Sequence, residues 1–282
     1  MKLLVFGKTG QVARELILQG GAHEIMALGR DQADLSDSEA CAAIIAQSDA
    51  DAVINAAAYT AVDKAEEEEA LATIINGDTP GAMARACAVK GIPFLHVSTD
   101  YVFDGEGEKP WSPNDPVAPQ NAYGRSKLAG EEAVRAAGGA HLILRTSWVF
   151  SAHGNNFVKT MLRLSETRDQ LTVVADQIGG PTAARDIAKA LLAIAPQLGA
   201  RKGGTFHFAG HPAVSWADFA REIFEKSGRD TQVADIPTSD YPTPAKRPLN
   251  SRMECSDLTK DFDVDIPDWR EALDEVLRDL EA

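Results

Sequence analysis

Lys2-Leu3-Leu4-Val5-Phe6-Gly7-Lys8-Thr9-Gly10-Gln11-Val12-Ala13 opens the chain. The run Lys2–Phe6 reads as a buried strand, and Gln11–Gln19 has the period and composition of a helix, so the glycine turn between them joins strand to helix with no intervening loop. Gly7, Gly10 and Ala13 form a Gly-x-x-Gly-x-x-Ala pattern. Small residues at these positions let a backbone approach a pyrophosphate. The helix start, around Thr9, Gln11 and Val12, offers N–H donors and a dipole that favours negative charge. A glycine turn alone could be only a tight connection; its place at residue 7, between a strand and a helix, favours nucleotide binding.

Outward from this turn, short apolar runs alternate with helical patterns. Ile25–Leu28, Ala52–Ile54, Pro93–Val97 and His141–Leu144 read as further buried strands, and Ser38–Gln47, Thr79–Lys90 and Ala122–Ala136 as helices. Alternation of this kind predicts an α/β fold, a Rossmann-like doubly wound parallel sheet with helices on both faces. After about Val149 the order loosens into a helix at Asn156–Ser165, a strand at Leu171–Val174, a helix at Ala184–Ala195, a strand at Thr205–Phe208 and a helix at Trp216–Lys226. A Pro-rich stretch, Ile236–Pro248, precedes a terminal helix from about Trp269. The expected division is a dinucleotide-binding domain over 1–150, with about 170–200 returning to it, and a smaller substrate-binding C-terminal lobe from 151–169 and 201–282.

Composition bounds the partners. The chain has 282 residues, 44% hydrophobic, and a formal net charge of −14, which argues against nucleic acid or an anionic membrane as the main partner. No stretch approaches the roughly 20 apolar residues that span a bilayer, and the N-terminus enters a strand with no cleavage-site pattern, so a cytoplasmic protein is expected. Cys41, Cys87 and Cys255 show no Cys-x-x-Cys spacing, and the six histidines show no ligand spacing; no metal site is expected.

Several positions after the first turn carry chemistry. The second strand ends Leu28-Gly29-Arg30-Asp31 with no acid at its tip, and Arg30 suits a 2′-phosphate where an aspartate would bind a 2′-hydroxyl. Asp34-Leu35 fits a loop that brackets an adenine, or Asp34 simply starts a turn before Ser38. After the third strand, the small residues of Asn55-Ala56-Ala57-Ala58-Tyr59-Thr60 leave room for a cofactor across the sheet edge, or for close helix packing. Glu66–Glu69 reads as a solvated helix start rather than a metal site. The fourth strand ends Ser98-Thr99-Asp100, with hydroxyls at the carboxyl edge, where open α/β sheets bind ligands. Tyr123 and Lys127 are four residues apart on one helix face, so an ammonium there would lower the phenol from its reference pKa of about 10.

In that order on an alternating chain, the glycine turn, Ser98-Thr99-Asp100 and Tyr123-x-x-x-Lys127 resemble the extended short-chain dehydrogenase/reductases. A narrower resemblance covers nearly the whole chain. Phe6–Val12, Asn55–Glu66, Ser98–Phe103, Arg145-Thr-Ser-Trp-Val-Phe150, Gly154-Asn-Asn-Phe-Val-Lys159, Asp176-Gln177 with Pro181-Thr182, and Pro242–Pro248 look like the dTDP-4-dehydrorhamnose reductase family. That resemblance implies reduction of the C4 ketone of a dTDP-linked 4-keto-6-deoxysugar by NADPH or NADH, with NADPH favoured by Arg30. It implies Tyr123 as proton donor and Lys127 as its tuner and as a hydrogen-bond donor to the nicotinamide ribose. Thr99 would orient the ketone, with Asp100, Trp148 and Asn156 on the substrate side and Arg247, or Lys246 beside it, at the diphosphate.

One branch of the family pairs subunits through magnesium held by glutamates on the first and a later helix. Here Glu15 stands at the first position but Arg185 at the second, which argues against a magnesium-bridged dimer and leaves monomer or homodimer open. A sugar-nucleotide dehydratase would be expected to carry an Asp-Glu pair after the threonine, where this chain has Asp100-Tyr101. A non-catalytic regulatory subunit would be expected to lack Tyr123 or Lys127.

Overall fold

Alternating residues of the first strand point to opposite faces, and both faces are apolar, so the strand requires helices above and below it. A computed structural model describes residues 1–199 and 203–281. It runs β1 (Lys2–Phe6), α1 (Gln11–Leu18), β2 (Glu24–Leu28), α2 (Ser38–Gln47) and β3 (Ala52–Asn55). A short α3 (Glu69–Thr73) then passes through a π-helical turn at Ile74–Asp78 into α4 (Thr79–Lys90), followed by β4 (Phe94–Thr99), α5 (Ala122–Ala136) and β5 (His141–Thr146). The second half adds α6 (Phe157–Ser165), α7 (Ala184–Ile194), α8 (Trp216–Lys226), α9 (Ser256–Phe262) and α10 (Trp269–Glu281).

The six-stranded sheet is parallel, ordered Gly204–His207, β5, β4, β3, β1, β2. Leu3 and Val5 pack on Leu16 of α1 and Ile187 and Leu191 of α7, whereas Leu4 and Phe6 pack with Ile45 of α2 and Met83 of α4. The strand order reverses between β1 and β3, which opens a crevice at the carboxyl ends of the strands. Register aligns Phe6 with Asn55, Asn55 with His96 and Thr99 with Thr146, so the strand ends meet along one edge.

The lobe boundaries differ from expectation. Gly204–His207, expected in the smaller lobe with the rest of 201–282, pairs with β5 and closes the central sheet. Gln170–Val174 does not return to that sheet; it pairs in parallel with Gln232–Ile236. Strand partners are chosen by which apolar edge remains unpaired after folding, and neither short run carries a mark of its partner. The expected join between 200 and 201 lies outside the described residues. A separate apolar core gathers Phe150, Phe219, Ile223, Trp269 and Leu273 from the second half. Among the described residues, no helix is long and apolar enough to cross a membrane.

Candidate active site

The crevice is a cleft of about 740 Å³. Its first wall is the opening turn. Gly7 has φ +114°, and a Cβ there would lie 3.1 Å from the Ala56 carbonyl and the Ala57 side chain. Gly10 precedes α1 as its cap residue and supplies no side-chain hydrogen bond to the first-turn N–H groups. Thr9, Gln11 and Val12 line the same wall, which suits a pyrophosphate. Arg30, Asp34 and Leu35 line the far end. The Arg30 side chain is 79% exposed and its Nε lies 3.3 Å from Asp34 Oδ2, while hydrogen bonds from Ser36 hold the Asp34 carboxyl below its ordinary pKa.

Ala57, Ala58 and Thr60 line the middle of the cleft; Tyr59 does not. Expected beside a cofactor, Tyr59 instead has its hydroxyl donating to Glu68 Oε2 at 2.7 Å and its ring packed near Ala65, Ala72 and Ala122. Glu66–Glu69 are likewise more than a solvated helix start. Glu66 accepts from the Ala122 N–H at 2.7 Å, and Glu69 forms a two-pronged pair with Arg125 at 2.7 and 2.9 Å. Together with Asn121, which caps α5 by accepting from Gly124 N at 2.7 Å, they fix the start of the helix that carries Tyr123 and Lys127. Further along, a Cβ at Gly130 would lie 2.0 Å from the Asn76 carbonyl oxygen, so α5 sits directly on the backbone of the π-helical turn.

Tyr123, Lys127, Thr99 and Asp100 all line the cleft. Their electrostatics differ from the expected ammonium–phenol pair. Lys127 Nζ donates to Val97 O at 2.7 Å and lies 3.3 Å from His96 Nε2, not against the phenol. Burial raises the Tyr123 pKa well above its ordinary value, the Asp100 charge adds to this, and the Thr99 hydroxyl only partly offsets it. Burial also depresses Lys127 to about 8. The lysine stem spans the helix turn and reaches β4, whose carbonyl captures the nitrogen; the i,i+4 rule alone could not show this.

Asp100 is 3% exposed and accepts from Thr99 Oγ1 at 3.0 Å and Ser251 Oγ at 2.5 Å. Burial pushes its carboxyl up to about 6, despite those two hydrogen bonds. Folding therefore raises this pKa above its unfolded value, so the folded state holds the proton longer and stability falls as pH rises from about 4 towards 6. Replacing Asp100 by Asn removes the charge and keeps an oxygen to accept from one hydroxyl, while the other hydroxyl turns to accept from the new amide N–H. We expect the variant to gain more thermal stability at pH 7 than at pH 4, as read from melting curves at the two pH values; equal gains would contradict this.

Trp148 also lines the cleft, held at φ 50° and stacked on Trp216 at 3.6 Å between ring centroids. Asn156 and Arg247 lie outside the cleft lining. The Asn156 amide, expected on the substrate side, caps α6 and donates to Gln11 Oε1 and Ser151 O, which makes it a clamp behind the opening turn. Arg247 is tied to Asp63 Oδ2 at 2.6 Å and reaches Tyr101 Oη at 3.5 Å, with Lys246 exposed beside it. Tyr101, Thr146 and Ser147 line the cleft without having been singled out. Thr146 and Ser147 end β5 as Thr99 ends β4, and the same carboxyl-edge rule would have found them. Val62 comes from irregular backbone and Ile75 from the π-helical turn, and neither carries the period of a regular helix or strand.

A second groove of about 480 Å³ lies between α7 and the segment 263–275; there Arg185 pairs with Glu275, while Glu15 faces His153 Nε2 at 3.4 Å. No cluster of three or more metal-ligating side chains occurs among the described residues.

The model of the RmlD substrate binding domain matches residues 1–282. A dTDP-4-dehydrorhamnose reductase of Sinorhizobium fredii is 47% identical over 281 residues, covering 96% of this chain and 95% of the relative. A crystal structure of a dTDP-4-dehydrorhamnose reductase from Clostridium acetobutylicum superposes with a TM-score of 0.93 at 39% identity, covering all of both chains. The Bacillus anthracis reductase, solved in complex with NADP, gives 0.92 at 31% identity over 99% of each chain. With the glycine turn, Thr99, Tyr123 and Lys127 along one cleft, and with similarity running from end to end, the chain belongs to the dTDP-4-dehydrorhamnose reductase family.

Proposed function

We propose that the chain reduces the C4 ketone of dTDP-4-dehydro-L-rhamnose to give dTDP-L-rhamnose, the last step in making this activated sugar. The observation that carries the proposal is the convergence of Tyr123, Lys127 and Thr99 with the uncapped turn Gly7–Val12 in one cleft. Gly7, Thr9, Gly10 and Val12 would hold a reduced nicotinamide dinucleotide, which would supply hydride to C4. Tyr123 delivers its phenolic proton to the C4 oxygen as negative charge develops there. Because the phenol pKa lies above its ordinary value, Tyr123 remains protonated through neutral pH and serves as an acid.

Thr99 orients the ketone oxygen, but its hydroxyl proton is directed at Asp100. Donating to substrate requires that hydroxyl to turn, or Asp100 to carry the proton. A carboxyl near pKa 6 makes the second route accessible at mildly acidic pH. Lys127 would donate to the ribose of a bound dinucleotide, and Trp148 would present its ring to sugar or base. Arg247 pairs with Asp63 through Nη2, so its remaining N–H groups would be the ones to meet a diphosphate.

NADPH is the favoured cofactor, because Arg30 offers an exposed guanidinium at the tip of β2. Replacing Arg30 by Ala is expected to raise the KM for NADPH about tenfold, on the order of one charge-assisted phosphate contact, and to leave that for NADH within a factor of two or so. Equal effects on both would remove Arg30 from the 2′-phosphate. The test of the function itself mixes purified protein with dTDP-4-dehydrorhamnose and follows loss of reduced-nicotinamide absorbance, with the rhamnose product identified by chromatography. Absence of turnover with either cofactor would sink the proposal.

A further inference from the structure

Asp100 is held from the far end of the chain. Segment 245–252 lies along the first lobe as a strap. The Ala245 N–H donates to Asp63 Oδ1 at 3.2 Å, Asn121 Nδ2 to Lys246 O at 2.9 Å, the Asn250 N–H to Gly105 O at 2.9 Å and the Trp111 N–H to Arg252 O at 2.9 Å. Gly105 has φ +74°, and a Cβ there would lie 2.4 Å from Pro248 Cβ. The strap is thus fixed on both sides of residue 251.

Ser251 itself is 1% exposed, and a Cβ at Gly179 would lie 3.0 Å from its Cβ, so the serine is walled in by that backbone. Its hydroxyl donates to Asp100 Oδ2, while Thr99 Oγ1 donates to Asp100 Oδ1. A hydroxyl has one proton, so Thr99 has none for a ketone while it donates to Asp100. An ionised carboxyl only accepts, whereas a protonated one also donates. Protonation of Asp100 therefore releases the proton of one hydroxyl partner. Thr99 lines the cleft and Ser251 does not, so the proton that gains a use is that of Thr99.

We infer that Ser251 is a positioning residue for the proposed reduction: its hydroxyl holds the Asp100 carboxylate in place and charged, which keeps the Thr99 proton committed to Asp100 until the carboxyl is protonated. The role in the reaction rests on the reductase reading above; the contact does not.

The electrostatics agree with this geometry. Burial raises Asp100, and the Ser251 hydrogen bond is the largest of the effects that oppose it. Charges on the neighbouring elements are engaged elsewhere: Lys127 of α5 by Val97 O, Arg145 of β5 by Glu131 and Arg247 of the strap by Asp63. The phenols of Tyr101 and Tyr123 feel the Asp100 charge, but burial holds both well above the range in which this carboxyl titrates.

Carbon-13 NMR of the aspartate carboxyls in the free full-length protein tests the contact without any turnover. The Asp100 signal, assigned by its loss in Asp100→Asn, should titrate about one pH unit higher in Ser251→Ala than in the wild type, the size expected for one hydrogen bond to a buried carboxylate. Ser251→Thr keeps the hydroxyl and should titrate with the wild type. An unmoved signal in Ser251→Ala, or equal movement in both variants, overturns the inference. If Ser251→Ala does not fold, the wild-type Ser251 Cβ resonance decides: it should shift through the Asp100 titration, and a flat trace overturns the inference.

In the active enzyme, kcat/KM, which reports groups of the free enzyme, should fall as pH rises through the Asp100 titration, because the Thr99 proton is released only below it. That limb should move upward by about one pH unit in Ser251→Ala, stay in place in Ser251→Thr and be absent in Asp100→Asn. A limb that stays in place in Ser251→Ala while the carboxyl signal moves removes Ser251 from the reaction. A protein that turns over no ketone sinks the reductase reading, and the carboxyl titration still decides whether Ser251 sets the charge of Asp100.

Discussion

Tyr123→Phe is expected to lower kcat about 10² to 10⁴-fold, the contribution typical of a positioned general acid, while dinucleotide binding is retained. The substitution removes one oxygen and keeps the ring. That ring packs near Ala65, Ala72 and Ala122 and meets Tyr101 edge-on at 5.4 Å, contacts that phenylalanine preserves. A ligand that binds only the folded state raises its stability, so NADPH should shift the melting temperature of the variant as it does for the wild type. Loss of turnover together with loss of that shift would indicate a damaged cleft; turnover within a few-fold of wild type would remove Tyr123 as the proton donor. The two readouts separate chemistry from binding because the role proposed for the phenolic oxygen lies in the reaction, whereas the dinucleotide is proposed to bind along Gly7–Val12.

Glu131→Ala is the substitution expected to cost most stability. Glu131 and Arg145 are 0% and 3% exposed at their side chains and meet in a two-pronged pair at 2.6 and 2.8 Å. Burial alone would raise the Glu131 pKa, but Arg145, Ser98 and Arg135 outweigh it and hold the carboxyl below its ordinary value. Sheet register explains the meeting: Ser98 of β4 lies beside Arg145 of β5, and both reach the carboxylate of α5 packed above them. Deleting one member of a buried pair leaves the other charge without compensation and costs about 3–5 kcal/mol. In a chain of this size that corresponds to a fall in melting temperature on the order of 10 °C. Denaturant unfolding of Glu131→Ala measures the loss, and Glu131→Leu with Arg145→Met should recover most of it, since a well-packed apolar pair can replace a buried ion pair. A double variant no more stable than Glu131→Ala would show that the pair does more than compensate its own burial.

The helix and strand positions in the first half were legible because their signals are local. The helices Ser38–Gln47, Thr79–Lys90 and Ala122–Ala136 occupy the expected residues, and the expected strands differ only at their ends, as with β4 running on to Thr99. Hydrophobic period is written into consecutive residues, and a glycine turn between a strand and a helix lies within a dozen positions. The carboxyl-edge rule then brought Thr99 to the cleft without knowledge of any neighbour.

Contacts between distant residues were not legible in this way. Tyr59 stands in a run of small residues that borders the cleft, yet its hydroxyl is drawn off by Glu68. Asn156 lies in a family motif and serves as a clamp on Gln11, 145 positions away. Gln170–Val174 and Gly204–His207 read alike as short strands, and only the assembled sheet assigned one to the smaller lobe and the other to the edge beside β5.

Sequence alone determined the parallel α/β sheet, the glycine turn and the shared helix face of Tyr123 and Lys127, because each follows from backbone geometry repeated over a few residues. Tertiary structure decided what that shared face means. Lys127 turns to Val97 and His96, Asp100 to Ser251, and Tyr123 is left in a buried setting that raises its pKa. The reason is physical: a pKa depends on burial and on charges within a few ångströms, and those neighbours come from β3, β4 and the segment around Ser251, brought together only when the chain folds.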